Sequence, residues 1–311
     1  MEIEKARELG LCFGVRRAIK LLKEAANKYG KIETLGPVAH NQRLIQGLAK
    51  AGITPVNSLE QAQGKILAVT THGVSPWVLS QIEARHIDII NTTCPIVHQA
   101  QNAAKELAEA GFDVIIFGES EHTEVRGLLG WAGNKGIAAL DVKQVVTPSL
   151  LATSRTNLSR LGIISQTTQN QSAFFEFIIQ LIAALPSVSY SKAKRPLKEI
   201  RIVNTLCQVT QKRQEETVRL SKRSQLMIVV GGHDSANTKR LAEACSPIVE
   251  THLVEGASEV DNSWLIGKHR VGITAGASTP DEAIEEVIAK LKSPGGIPVI
   301  ARHKVPKQPQ S

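Results

Sequence analysis

Three of the four cysteines in this chain share one local pattern. Asn91-Thr92-Thr93-Cys94 and Asn204-Thr205-Leu206-Cys207 repeat an Asn-Thr-x-Cys run, each after a short β-rich segment and each before a helical pattern. Cys12, in Gly10-Leu11-Cys12-Phe13-Gly14, likewise opens a helical run in which Val15, Ala18, Ile19, Leu22 and Ala26 follow a period near 3.6. The same 28-position interval separates Cys12 from His40, Cys94 from His122 and Cys207 from Ser235. All three endpoints stand just beyond a β-like run that closes in glycine: Thr34–Gly36, Ile115–Gly118 and Ile228–Gly232. Three equal intervals on matching patterns indicate an internal repeat. Equivalent cysteines on three related modules can converge on one point. A cubane 4Fe–4S cluster has a threefold axis, so three thiolates can each hold one iron and leave the fourth open to substrate, whereas four cysteines are the electron-transfer norm. Helix amino termini just after the cysteines favour thiolate and an anionic cluster. From spacing alone, a zinc site with three cysteine ligands is also compatible. Cys245, within Ala242–Ser246, lacks the register and reads as a small buried hydrophobe.

A second set of residues suits an anion. Each third of the chain carries a further strand-like run ending in a polar loop: Leu67–Gly73, Gly162–Thr168 and Val271–Ser278. His40, His72 and His122, with Ser235, Asn237 and Ser278, are compact donors beside helix starts, where phosphate oxygens are bound. His86, His98, His233, His252, His269 and His303 have no such register. Glu124 lies two residues past His122 and is the candidate proton donor, with Thr167 as a hydroxyl relay.

The elements that must position these groups read as three β/α modules whose short parallel strands feed helices. In open parallel sheets functional loops gather at the carboxyl ends of strands, where the polar residues fall here. The divisions lie near residues 94 and 190: a first module over 1–94, a second over 95–190, a third over 191–292 and an irregular tail over 293–311. Ser191–Pro196, polar, basic and closed by proline, reads as the second linker. A length of 311 residues with 42% hydrophobic residues suffices for two or three packed units. Aromatic residues at 4% argue against a base-stacking surface, and the +8 charge comes without any nucleic-acid-binding module. No apolar run is long enough to span a membrane, the first residues lack the layout of a secretory signal, and scattered cysteines do not form a disulfide framework. A cytoplasmic protein is expected.

The motifs, in order, resemble the 4-hydroxy-3-methylbut-2-enyl diphosphate reductase (LytB/IspH) family over nearly the whole chain. They are Cys12–Ile19, His40-Asn41, Thr71–Ser75, Thr93–Pro95, His122–Val125, Ser165–Thr168, Cys207 with Lys212–Glu215, Ser235–Thr238 and Thr274–Ser278. The resemblance implies a trefoil-like, pseudo-threefold arrangement of three α/β domains around a central 4Fe–4S cluster. It implies reductive removal of an allylic hydroxyl from an allylic diphosphate, giving isopentenyl and dimethylallyl diphosphates at the end of the methylerythritol phosphate route. By matched position Cys12, Cys94 and Cys207 are the three cluster ligands, leaving one open iron site. His40, His72, His122, Ser235, Asn237 and Ser278 hold the diphosphate, Ala236 offers only its backbone N–H, and Glu124 with Thr167 delivers protons beside His122. A ferredoxin or flavodoxin is the implied electron donor. The chain departs from the family at Ala236, often serine, at Asp234, often asparagine, and at Leu11 and Thr123, usually phenylalanine and proline.

Two other functions compete with a reductase. One is a non-redox iron–sulfur dehydratase acting on a phosphorylated alcohol, in which the open iron serves only as a Lewis acid. The other is a non-enzymatic metal-binding or nucleic-acid-binding module, suggested by the cysteines and the charge.

Overall fold

A computed structural model describes residues 1–133, 136–146, 159–189 and 197–293, the side chains of 186–189 excepted. The expected linker at Ser191–Pro196 and nearly all of the tail from residue 293 lie outside these described residues.

Among the described residues twelve short strands form three four-stranded sheets in which every pairing is parallel. The first sheet has the order β3(Ile53–Val56), β2(Ile32–Leu35), β4(Ile66–Val69), β5(Asp88–Asn91). The second runs β7(Gly136–Ala139), β6(Asp113–Phe117), β8(Arg160–Ser165), β9(Glu199–Ile202). The third repeats the plan as β11(Thr251–Val254), β10(Leu226–Val230), β12(Arg270–Ala275), β1(Glu2–Lys5). Central strands β6 and β10, with sequences DVIIF and LMIVV, are buried along their whole length. Such unbroken apolar runs are what a parallel sheet covered on both faces requires. In the second sheet Ile115 and Ile163 face one apolar cluster with Phe174 and Leu181, while Ile116 and Ile164 face another with Phe112 and Leu128. The first and third sheets are covered on both faces in the same way.

Two strands pair outside the segments 1–94 and 191–292 in which they fall. β9, at Glu199–Ile202, pairs with β8 and so completes the second sheet. β1, at the start of the chain, pairs with β12 and completes the third. Its Ile3 and Leu9 pack on the third core, while Ala6 N–H donates to the Ile273 carbonyl at 2.8 Å. The fourth strand of every sheet therefore leads to a cysteine: β1 to Cys12, β5 to Cys94 and β9 to Cys207. The helix that each cysteine starts then feeds the first strand of the next sheet. These helices are α1(Phe13–Tyr29), α4(Pro95–Glu109) and α8(Gln208–Ser221), with α2(Gln42–Lys50), α3(Pro76–Ala84), α5(Thr123–Ala132), α6(Val142–Val145) and α7(Gln171–Ser189) between them. The ring closes through α9(Ala236–Cys245), α10(Asp281–Lys292) and the pairing of β12 with β1. Among the described residues no helix is long and apolar enough to cross a membrane.

Candidate functional site

Each cysteine is the N-cap of its helix. The Cys12, Cys94 and Cys207 carbonyls accept from Arg16, His98 and Gln211 N–H at 2.9, 2.9 and 3.0 Å, which begins the three helices. None of the three side chains takes part in capping, so the sulfurs are not tied to the helix ends. The cysteine N–H groups are anchored alike. Cys12 donates to the Ala277 carbonyl at 2.9 Å, Cys94 to Thr71 at 3.0 Å and Cys207 to Thr167 at 2.8 Å. Every acceptor belongs to the loop after the third strand of a module, at or beside an expected anion-site residue (Ser278, His72 and Thr167).

The sulfurs line one cavity. A Cβ built on Gly14 would lie 2.7 Å from Cys94 Sγ and 3.8 Å from Cys12 Sγ, so one methyl group would occupy the space between two thiols. Burial raises the Cys94 thiol pKa, with Cys12 and Cys207 adding to the rise through their own charge, and helix N–H groups of Ile96 and Val97 opposing it. Buried Arg213 donates from Nη1 to the carbonyls of Gly10 (3.0 Å) and Ala275 (2.7 Å), while its Nε has no partner. Burial lowers its pKa, and Cys12, Glu8 and Cys207 favour its charged form. A buried guanidinium is costly unless anions face it. Among the described residues no three His, Cys, Asp or Glu side chains are gathered around a single-ion site.

The three histidines meet in the same cavity. Ring centroids are 5.1 Å apart for His40 and His72, 5.7 Å for His72 and His122, and 6.1 Å for His40 and His122. His40 and His122 follow the first strands of their modules and His72 follows a third, so three loops at carboxyl strand ends deliver them. Burial pushes the His72 pKa down to about 3 and that of His122 to about 4, with the neighbouring histidines adding to both shifts. His40 is lowered chiefly by burial; exposed Asp234 opposes and Lys239 adds to the shift. His122 Nδ1 accepts the Glu124 N–H at 3.2 Å, which places the proton of its neutral ring on Nε2. Ser235, as N-cap of α9, accepts from Thr238 N–H at 3.3 Å. The residues around it hold buried polar atoms without partners: His40 Nε2, both amide atoms of Asn237 and Thr238 Oγ1. Orphaned groups of this kind carry a free-energy cost that a polar ligand removes. Ala236 and Ser278 complete this wall of the cavity.

Glu124 stands opposite. It is 2% exposed; one carboxylate oxygen accepts Thr167 N–H at 2.6 Å and the other accepts Thr167 Oγ1–H at 2.9 Å. Burial raises its pKa from 4.5 to about 7, against the lowering effect of those two hydrogen bonds. Thr167 thus joins the carboxyl to the Cys207 anchor.

All twelve residues expected at the site line this one cavity. Cys245 does not: it is buried with Ala6, Leu220 and Met227, and burial lifts its thiol to about 12. His252, also outside the expected set, stacks on Trp264 at 3.7 Å, and His233 pairs with Glu259 at 2.9 Å. The part played by Arg213 was not expected. Its run, Lys212–Glu216, has the composition of a solvated helix face, and only its place six residues after Cys207 points inward.

Comparison with known proteins follows the same lines. The family model for LytB protein matches residues 3–292. The 4-hydroxy-3-methylbut-2-enyl diphosphate reductase of Dehalococcoides mccartyi (strain 195) is 40% identical over 294 residues, covering 94% of this chain and 98% of that protein. The enzyme of the same name from Geobacter metallireducens is 36% identical over 293 residues, covering 94% and 97%. A solved structure of (E)-4-hydroxy-3-methyl-but-2-enyl diphosphate reductase, described as the terminal enzyme of the non-mevalonate pathway, superposes with a TM-score of 0.64 at 33% identity, covering 94% and 99%. The E-1-hydroxy-2-methyl-but-2-enyl-4-diphosphate reductase from Plasmodium falciparum shares the fold, with a TM-score of 0.84 at 22% identity over 99% and 95%.

Two outcomes are expected from this geometry. Helix propensity alone favours Gly14→Ala by about 1 kcal/mol, but the clash with Cys94 Sγ reverses the sign. Denaturant unfolding of the iron-free variant is expected to show a net loss of about 1–2 kcal/mol; a gain would mean the thiols are not crowded there. Glu124 keeps its proton in the native state between its unfolded pKa of 4.5 and about 7. The unfolded chain releases that proton, so this group lowers stability as pH rises through the window, by on the order of 3 kcal/mol in all. Glu124→Gln is expected to flatten that part of the stability–pH curve, and an unchanged slope would count against the assigned shift.

Proposed function

The chain belongs to the LytB protein family, and on that premise we propose that it removes the allylic hydroxyl of (E)-4-hydroxy-3-methylbut-2-enyl diphosphate, the terminal step of the non-mevalonate route to isoprenoids. The reaction takes two electrons and two protons: the allylic C–O bond breaks, a C–H bond forms, and the oxygen leaves as water. Isopentenyl and dimethylallyl diphosphates are the products. The observation that carries this reading is the convergence of three thiols, three imidazoles and one protonatable carboxyl, drawn from all three modules, on a single cavity.

Cys12, Cys94 and Cys207 are the residues that hold an iron–sulfur cluster, which we take to be 4Fe–4S with one iron not bound by protein. The open space that Gly14 keeps between two sulfurs, and buried cationic Arg213, whose charged form Cys12 and Cys207 favour, fit an anionic body wider than one metal ion. When bound, the cluster would relay electrons and supply Lewis acidity for loss of the allylic hydroxyl.

The protein's own groups do the rest. The unsatisfied donors of His40 and Asn237, with the Nε2–H of His122 and the hydroxyls of Ser235 and Ser278, donate to the diphosphate oxygens. Backbone N–H groups at the start of α9, including that of Ala236, add the helix-terminal preference for anions. A diphosphate brings negative charge against imidazoles that burial holds neutral, and so favours their protonation. The anchored headgroup fixes the allyl chain, converting binding energy into orientation. Glu124 retains a proton near neutral pH and passes it through the Thr167 hydroxyl toward the leaving oxygen. Ferredoxin or flavodoxin is the class of donor we assign, and the cytoplasm, where thiols stay reduced, is the compartment.

Anaerobic turnover tests the reading. Product formation is expected to require a reductant and to fall by about 10²–10⁴ in Glu124→Gln, with iron content and diphosphate affinity kept. Product without any electron donor would instead support a non-redox dehydratase.

A further inference from the structure

A reductase must receive its electrons from outside, and α1 joins the cavity to the surface. Its N-cap is Cys12, its first turn packs Gly14 against Cys94, and Arg17 Nη1 donates to the Thr93 carbonyl at 3.3 Å. The residue next to Cys12, Phe13, is 60% exposed. Gly14, Val15, Ala18, Leu22 and Ala25 form the buried stripe of the helix. Phe13, Arg16, Lys20, Lys23 and Asn27 follow the same helical period on the outer side, and all five are exposed. Arg16, Lys20, Lys23 and Asn27 of this stripe line a shallow groove that begins at Leu11, whose carbonyl accepts from Arg16 Nη1; exposed Phe13 adjoins Cys12 at the start of the helix. Glu24 is the one carboxylate in the groove, and it lies 3.9 Å from Lys20 in an exposed pair worth little.

We propose that the Phe13–Arg16–Lys20–Lys23 stripe of α1 is the docking surface for an acidic one-electron carrier protein. The inference rests on the reductase reading. Positive charge along the helix steers a negatively charged partner, and the exposed aromatic ring gives it an apolar contact one residue from a cavity thiol. Each turnover consumes two electrons, so two reduced carriers dock in succession and leave oxidised. Nucleic acid would also meet the charge, but nothing in its chemistry calls for a site adjoining Cys12.

The test compares two reductants on the anaerobic, cluster-loaded wild type and the double variant Lys20→Glu/Lys23→Glu. Neither lysine touches the cavity. With a reduced ferredoxin of net negative charge, kcat/KM for the carrier is expected to fall at least tenfold in the variant, and the wild-type rate to drop with added salt. With dithionite-reduced methyl viologen the two proteins are expected to turn over alike. A ferredoxin-driven rate that changes less than twofold overturns the proposal, as does an equal loss with viologen, which would mark a structural defect. Salt-sensitive binding of duplex DNA that is abolished by the variant, with carrier kinetics unchanged, overturns it in favour of nucleic acid. A wild type inactive with both reductants overturns the reductase reading itself and the proposal with it.

Discussion

Three backbone hydrogen bonds set the frame on which the site depends. Each runs from the N–H of a cysteine N-cap to a carbonyl in the loop that follows the third strand of a module, at 2.8–3.0 Å. The bond joins chain segments close in sequence for Cys94 with Thr71, farther apart for Cys207 with Thr167, and at opposite ends of the sequence for Cys12 with Ala277. It fixes where each helix begins and so where each sulfur stands. It also fixes the loops that carry His72, Thr167 and Ser278. A shift of one cysteine therefore moves part of the anion site with it. The cysteine sulfurs and the polar loop residues of the cavity are thus set by common contacts.

Electrostatics then divides the cavity into regions of different task. The cysteines sit at helix amino termini, and two of them, Cys12 and Cys207, favour the charged form of buried Arg213. Across the cavity the three imidazoles crowd one another and are held neutral by burial, ready for an anion that reverses the balance. Glu124 is handled in the opposite way: no cation neutralises it, and burial keeps it protonated to about pH 7. Two carboxyl hydrogen bonds from Thr167 limit that shift and aim the proton. Burial thus keeps the carboxyl protonated above the pH at which it would ionise in water, and keeps His72 and His122 neutral well below the pH at which they would take up a proton.

Much of this was legible in the sequence because the chemistry repeats at a constant interval. The shared distance from Cys12, Cys94 and Cys207 to His40, His122 and Ser235 places each residue after the first strand of the next sheet. Every β-like run used to locate the loops is a strand in the structure. What the chain order hid was sheet membership. β1 and β9 each complete the sheet of an adjacent module, because parallel pairing joins strands through long crossovers and leaves no local mark. Arg213 was hidden for a related reason, since a charged residue in a polar helical run looks solvated until its neighbours are known. The three histidines could be grouped by loop position, but their 5–6 Å spacing is a property of the first and second sheets meeting.

The central claim is that three thiols from three modules hold one iron–sulfur body. Iron and acid-labile sulfide, measured per chain in anaerobically purified protein together with the EPR spectrum of the reduced form, test it most directly. Four irons and four sulfides are expected in the wild type and in Cys245→Ser, with a marked loss on replacing any one of Cys12, Cys94 or Cys207 by serine. Zinc in place of iron, or the same loss in Cys245→Ser, would contradict the account.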